Sequence, residues 1–110
     1  MIDGVLMSVH RYKRNSQFKI YLPVKVLKAI GWAESDRVEW LWSEDLSHMF
    51  LSKAKSIYET ANSSVITRFR NNSFQTTIPK AIGVAMGFKH KDKAMMVISD
   101  DRIIIKRIEQ

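Results

Sequence analysis

At 110 residues, 45% of them hydrophobic and 26% charged, the chain is long enough for one hydrophobic core and too short for two independent ones. It contains no cysteine, which excludes a disulfide framework, a thiolate metal site and a thiol nucleophile, and His10, His48 and His90 lack metal-ligand spacing. The formal net charge of +7 is spread evenly, with 9 Lys/Arg against 6 Asp/Glu in residues 1–56 and 9 against 5 in residues 57–110, which favours a polyanionic partner that reads both halves over charge kept for solubility alone.

In chain order, Val5 to Lys13 reads as a strand, Arg14-Asn15-Ser16 as a turn and Phe18 to Leu22 as a second strand. Pro23 to Ile30 reads as a helix of about two turns, opened by Pro23 and closed by Gly31. Arg37 to Trp42 is the third strand and Met49 to Lys53 the fourth, joined by a turn lengthened by about two residues around Asp45-Leu46-Ser47 relative to its later counterpart. Residues 54–63 read as a linker, with Ile57 and Tyr58 able to pack in a helical turn and Asn62-Ser63-Ser64 forming a flexible joint.

The plan then starts again. Val65 to Arg70 is a strand with Val65, Thr67 and Phe69 sharing one face, and Asn71-Asn72-Ser73 is a turn in which Asn tolerates left-handed backbone. Phe74 to Ile78 is the next strand, and Thr77 is placed to cap a helix that begins at Pro79, carries Ile82, Ala85 and Met86 on one face, and stops at Gly87. A basic turn, Lys89-His90-Lys91-Asp92-Lys93, leads to a strand over Ala94 to Ile98, a tight turn at Ser99-Asp100-Asp101 and a last strand over Arg102 to Arg107.

The plan recurs because the chain repeats itself. Sliding it by 56 positions aligns residues 8–48 with 64–104 without a gap and matches Ser8/Ser64, Val9/Val65, Arg14/Arg70, Asn15/Asn71, Phe18/Phe74, Pro23/Pro79, Ala29/Ala85, Gly31/Gly87, Asp36/Asp92, Ser43/Ser99 and Asp45/Asp101. A unit of this size cannot bury a core alone, so repeat 1–53 and repeat 64–110, joined by linker 54–63, are expected to complete one compact, mainly β domain, each contributing β-β-α-β-β. Trp40 and Trp42 share a strand face with Val38 and align with the core-like Met96 and Ile98 of the second repeat, so core packing is expected for both; exposed, that face would be a partner-binding patch. Trp32 aligns with Phe88 and is also expected in the core.

Six basic residues, Arg11, Lys13, Arg14, Lys19, Arg68 and Arg70, cluster around the two equivalent hairpins. A two-fold axis would set them side by side in a strip that matches a duplex backbone. Asn15, Asn71, Asn72, Ser73 and Gln75 can reach base edges or phosphate oxygens, although Asn15 and Asn71 equally suit a tight turn for backbone reasons. Lys89, Lys91 and Lys93 with His90 read as a solvated turn or as a flanking phosphate contact. No repeated carboxylate pair, nucleophile triad or Gly-rich phosphate loop points to an enzyme, and Asp36, Asp92, Asp45 and Asp101 sit where turns want Asp.

The stretch Phe74 to Lys93 followed by Ser99 to Lys106 resembles the AbrB/MazE/SpoVT family of swapped-hairpin DNA-binding domains, whose pattern runs β-strand, Ile-Pro, short helix ending in Leu-Gly, a Gly-Asp-Lys-type turn, a strand, an acidic turn and a strand ending in Lys. The first repeat is similar more loosely, through Phe18 to Pro23, Ile30-Gly31, Ser35-Asp36-Arg37 and Ser43-Glu44-Asp45. The resemblance implies a β-barrel-like pseudo-dimer of tandem swapped hairpins in one chain, with a homodimer that exchanges halves as the alternative; the 10-residue linker spans roughly 30 Å when extended and permits either. It further implies a nucleoid-associated transcriptional regulator that binds double-stranded DNA and uses no cofactor; a cytoplasmic protein that does not engage a membrane is the default expectation from the residues themselves, which show no signal peptide and no apolar run near the length of a membrane helix. The family's basic positions fall on Arg11, Lys13 and Arg14 and on Arg68 and Arg70 in the first strands, on Lys19 and Gln75 where the second strands open, and on Leu27-Lys28 and Gly83-Val84 in the helices, where its arginines are mostly gone. An antitoxin-like or other protein-interaction module, and a nucleoid-coating protein without sequence preference, are the alternatives; the toxin-engaging tail of such antitoxins has no counterpart after Lys106.

Overall fold

Alternating apolar residues make strands that bury one face of their pleat. In the computed structural model, which describes residues 4–11, 17–55, 62–70 and 73–108, the elements are β1 (Val5–Arg11), β2 (Phe18–Pro23), α1 (Val24–Ile30), β3 (Arg37–Trp42), β4 (His48–Lys53), β5 (Ser63–Val65), β6 (Thr67–Arg70), β7 (Ser73–Ile78), α2 (Lys80–Ala85), β8 (Lys93–Ser99) and β9 (Arg102–Arg107). Phe18, Ile20 and Leu22 of β2, Val38 and Trp40 of β3, Met49 and Leu51 of β4, Phe74 and Ile78 of β7, Ala94, Met96 and Ile98 of β8, and Ile103 and Ile105 of β9 form a common core. Each helix is opened by proline at its N-cap, and each is followed by a glycine in left-handed backbone, Gly31 at φ 81° and Gly87 at φ 73°.

All strands join one antiparallel sheet in the order β5-β3-β4-β9-β8-β1-β2-β7-β6. Its outermost strands, β5 and β6, are consecutive in the chain and separated only by Ile66, so the sheet curls round until its two ends meet in a nearly closed barrel. Ile66 is fully buried at this seam; its N–H donates to the Asp36 carbonyl at 2.9 Å, and its carbonyl accepts from the Ser35 N–H at 2.8 Å. Beside it a chain of hydroxyls satisfies a buried indole. Trp40 Nε1 donates to Ser64 Oγ at 2.9 Å, Ser64 Oγ lies 2.6 Å from Thr76 Oγ1, and Thr76 Oγ1 donates to the Val65 carbonyl at 3.2 Å.

The register shows how the halves interlock. In the β2–β7 ladder Phe18 faces Ile78, Leu22 faces Phe74, and Ile20 faces its own alignment mate Thr76, so a local two-fold passes through that pair. The β4–β9 ladder repeats the pattern, with Met49 opposite Ile105, Leu51 opposite Ile103 and Phe50 opposite Ile104. β1 pairs with β8 and β3 with β5, so the opening strand of each half pairs with the third strand of the other.

The gapless alignment fails in the opening strands. Val9 donates to the Asp92 carbonyl and accepts from the Lys91 N–H, each at 2.8 Å, which are the bonds that Ile66, not Val65, makes to Asp36 and Ser35. Arg11 faces Phe18 as Arg68 faces Phe74, and a register shift follows between Arg68 and Arg70. Ser8/Ser64 and Val9/Val65 are thus one residue out of step. Because strand faces alternate, that slip reverses the expected sidedness: Ile66 goes inward, Thr67 is exposed, and Phe69 stacks outside on Tyr21.

Other expectations shift for local reasons. Ser63 and Ser64 are strand rather than joint, since β3 offers an unpaired edge. Thr77 makes no cap bond, because β7 continues through Ile78. Trp32 and Trp40 are buried, but Trp42, at the end of β3, is 43% exposed and lines a cavity of about 230 Å³ with Ala81, Ile82 and Ala85. Ala85 is exposed on α2, where Gly83 takes the inward place instead. The β3–β4 turn is the longer one, as expected, with Leu46 at φ 60°. Hydrogen bonds from the Ser47 hydroxyl and N–H and from the Ser43 hydroxyl hold the Asp45 carboxyl down at about 2. Residues 56–61, including Ile57 and Tyr58, lie outside the described residues.

Candidate nucleic-acid interface

The β2–β7 ladder carries the candidate site on its outer face. Inward Ile20 and Thr76 force Lys19, Tyr21, Gln75 and Thr77 outward, and Lys19 and Gln75 fall on either side of the two-fold pair. At the flanks, β1 ends in Arg11 and β6 carries Arg68 as its second residue, and the register makes these two true equivalents. Each guanidinium lies over a core aromatic, Arg11 at 5.2 Å from the Phe18 ring centre and Arg68 at 5.0 Å from that of Phe74. Each charged head therefore rests on an aromatic at the rim of the core, while both arginines remain exposed.

The two flanks differ in charge. Beside β1 lies the basic turn after α2: the backbone N–H of Arg11 donates to His90 Nδ1 at 3.0 Å, Lys93 Nζ donates to Ser8 Oγ at 2.8 Å, and Lys89 and Lys91 are exposed next to them. Beside β6 lies the acidic counterpart of that turn, where Glu34 pairs with Arg68 at 3.1 Å. Cations thus accumulate on the β1 flank and are partly neutralised on the β6 flank. The sequence left the Lys89–Lys93 turn apart from the hairpins; only the β1–β8 pairing brings it to Arg11.

An aromatic row crosses the same face. The His10 ring lies 4.5 Å from that of Tyr21, Tyr21 stacks on Phe69 at 4.6 Å and 24°, and His90 meets His10 edge-on at 5.5 Å. Two histidines remote in sequence are therefore neighbours. Burial, then the charges of His90, Lys91 and Lys93, lowers the His10 pKa below its usual 6.5 and so favours the neutral ring. The outward alternation of His10 and Tyr21 was readable in the sequence; the arrival of Phe69 was hidden by the one-residue slip.

Of the remaining expected site residues, Lys28 is exposed in the last turn of α1. Its neighbour Leu27 is 2% exposed, and Gly83, aligned with Leu27, is buried against Phe18, so the first of the two helix positions faces the core in each repeat, while the second, Lys28 or Val84, is exposed. Lys13, Arg14, Asn15, Asn71 and Asn72 lie outside the described residues, and Arg70 is described only as the backbone end of β6.

Among the described residues no group of three or more His, Asp or Glu side chains is arranged to hold a metal ion, and no helix is long and apolar enough to cross a membrane. Comparison of the chain with protein-family models, curated proteins and solved structures returned no match.

Proposed function

We propose that the protein is a non-enzymatic regulator of transcription that binds double-stranded DNA through the outer face of β1, β2, β7 and β6, built as two AbrB-like repeats that exchange hairpins within one chain. The observation that carries the reading is the equivalence of Arg11 and Arg68 about a local two-fold, with Lys19 and Gln75 between them. A duplex is itself two-fold symmetric, so a basic face with this symmetry can engage both strands in matching register. The cross-half ladders β1–β8 and β3–β5 support the exchanged-hairpin reading. The uneven flanks, His90 with three lysines on one side and a Glu34–Arg68 pair on the other, favour targets with unequal half-sites.

The test is fluorescence anisotropy on duplex DNA across a salt series. Affinity is expected to fall with salt at a log–log slope of roughly −0.9 per phosphate contact, and Lys19→Ala or the double variant Arg14→Ala/Arg70→Ala is expected to weaken binding by about tenfold or more. Equal affinity for all sequences would point to nucleoid coating instead. Absence of binding at low salt would overturn the DNA reading and leave a protein partner.

A further inference from the structure

We infer that the outer face of β3, β4, β9 and β8 is the contact surface for a second copy of this chain, packed sheet on sheet about a two-fold axis that runs along β4. This inference does not rest on DNA binding.

Across these four strands the register sets Leu41 beside Phe50, Phe50 beside Ile104 and Ile104 beside Val97, a continuous outward row on the side of the barrel opposite the β2–β7 ladder. Leu41 is 52% exposed, and none of the four is among the buried residues. An apolar row across four strands is unusual on a surface that faces only water.

The adjoining row says what fits it. Glu39, Ser52 and Arg102 lie side by side on β3, β4 and β9. Glu39 and Arg102 thus flank β4 at the same level with opposite charge, and neither belongs to an ion pair among the described residues. Arg102 instead lies over the Phe50 ring at 4.7 Å.

A two-fold along β4 exchanges β3 of one copy with β9 of the other. Leu41 then meets Ile104, Phe50 meets Phe50, and Glu39 meets Arg102, each unlike contact made twice. Two faces whose left and right sides are complementary recognise themselves, which is the condition for a closed, isologous dimer. Aligned packing of two sheets leaves about 10 Å between them, room for these side chains to interdigitate.

Sedimentation velocity across a concentration series tests the proposal, with circular dichroism melts reporting the fold of each variant. Wild-type protein is expected to show a concentration-dependent monomer–dimer equilibrium. Glu39→Arg and Arg102→Glu each place like charges together and are expected to raise the dimer dissociation constant by about tenfold or more. The charge-swapped double variant E39R/R102E is expected to return it to within a few-fold of wild type, which a merely destabilised barrel would not do. A chain that stays monomeric throughout, or a dimer that the double variant disrupts as much as the single ones, overturns the proposal.

Discussion

At the scale of single residues, Gly83 shows a helix position governed by packing. A Cβ there would stand 2.6 Å from Phe18 Cδ2, and Phe18 is 1% exposed, so its ring has nowhere to go. Gly83→Ala gains about 1 kcal/mol of helix propensity but incurs about 1–3 kcal/mol of overpacking. A net loss of stability is expected in urea unfolding, while Ala at the exposed neighbour Val84 is expected to be near neutral. His10 gives the pH dependence. Its folded pKa lies below the ordinary 6.5, so as pH falls below about 6.5 the unfolded chain takes up a proton that the folded one resists, and stability declines. The groups facing it are His90 and Lys91 from the turn before β8, Lys93 at the start of β8 and Tyr21 from β2. Between about pH 7 and pH 5.5 the melting temperature is expected to fall more for wild type than for His10→Gln, and equal slopes would exclude His10 as the source.

At the scale of elements, the barrel closes where β5 and β6 bend at Ile66, and the polar chain from Trp40 through Ser64 to Thr76 holds that seam. The site related to this seam by the local two-fold needs no such chain, because Ile20 and Met96 stand there in place of Thr76 and Trp40. Ser64→Ala leaves the buried Trp40 N–H without its acceptor, and a loss of about 1–3 kcal/mol is expected in chemical denaturation. Combined with Trp40→Phe, which removes the donor, the loss is expected to be smaller than the sum of the two single losses. The strands and helices were legible residue by residue in composition and spacing: Pro23 and Gly31 bound α1, Pro79 and Gly87 bound α2, and the alternation of β2 and β7 is plain. The opening strand of the second half was legible as a strand but neither in extent nor in face: it starts at Ser63 and divides at Ile66 into β5 and β6, and sequence identity at Ser8/Ser64 and Val9/Val65 favoured a register that hydrogen bonding places one residue away.

At the scale of the whole molecule, the barrel has two opposed faces that share one local two-fold, a basic and aromatic one over β2–β7 and an apolar one over β4–β9. The salt titration and the charge-swap cycle probe them separately. If both hold, a dimer presents its two basic faces on opposite sides, free of the contact that joins the copies.

The order of amino acids alone carries the repeat, the succession of β-hairpin, helix and β-hairpin in each half, the basic balance of both halves and the proline and glycine that flank the helices. These follow from local backbone preference and side-chain periodicity, which act within a few residues. The tertiary structure decided the pairing of each opening strand with the other half, the slip that turned Ile66 inward, the meeting of His10 with His90 and the exposure of Trp42. It also set the Lys89–Lys93 turn against Arg11 and aligned Leu41, Phe50, Ile104 and Val97 across four strands. Those outcomes depend on which strand edges meet when the sheet closes, and closure is a property of the whole barrel that no local window of residues contains.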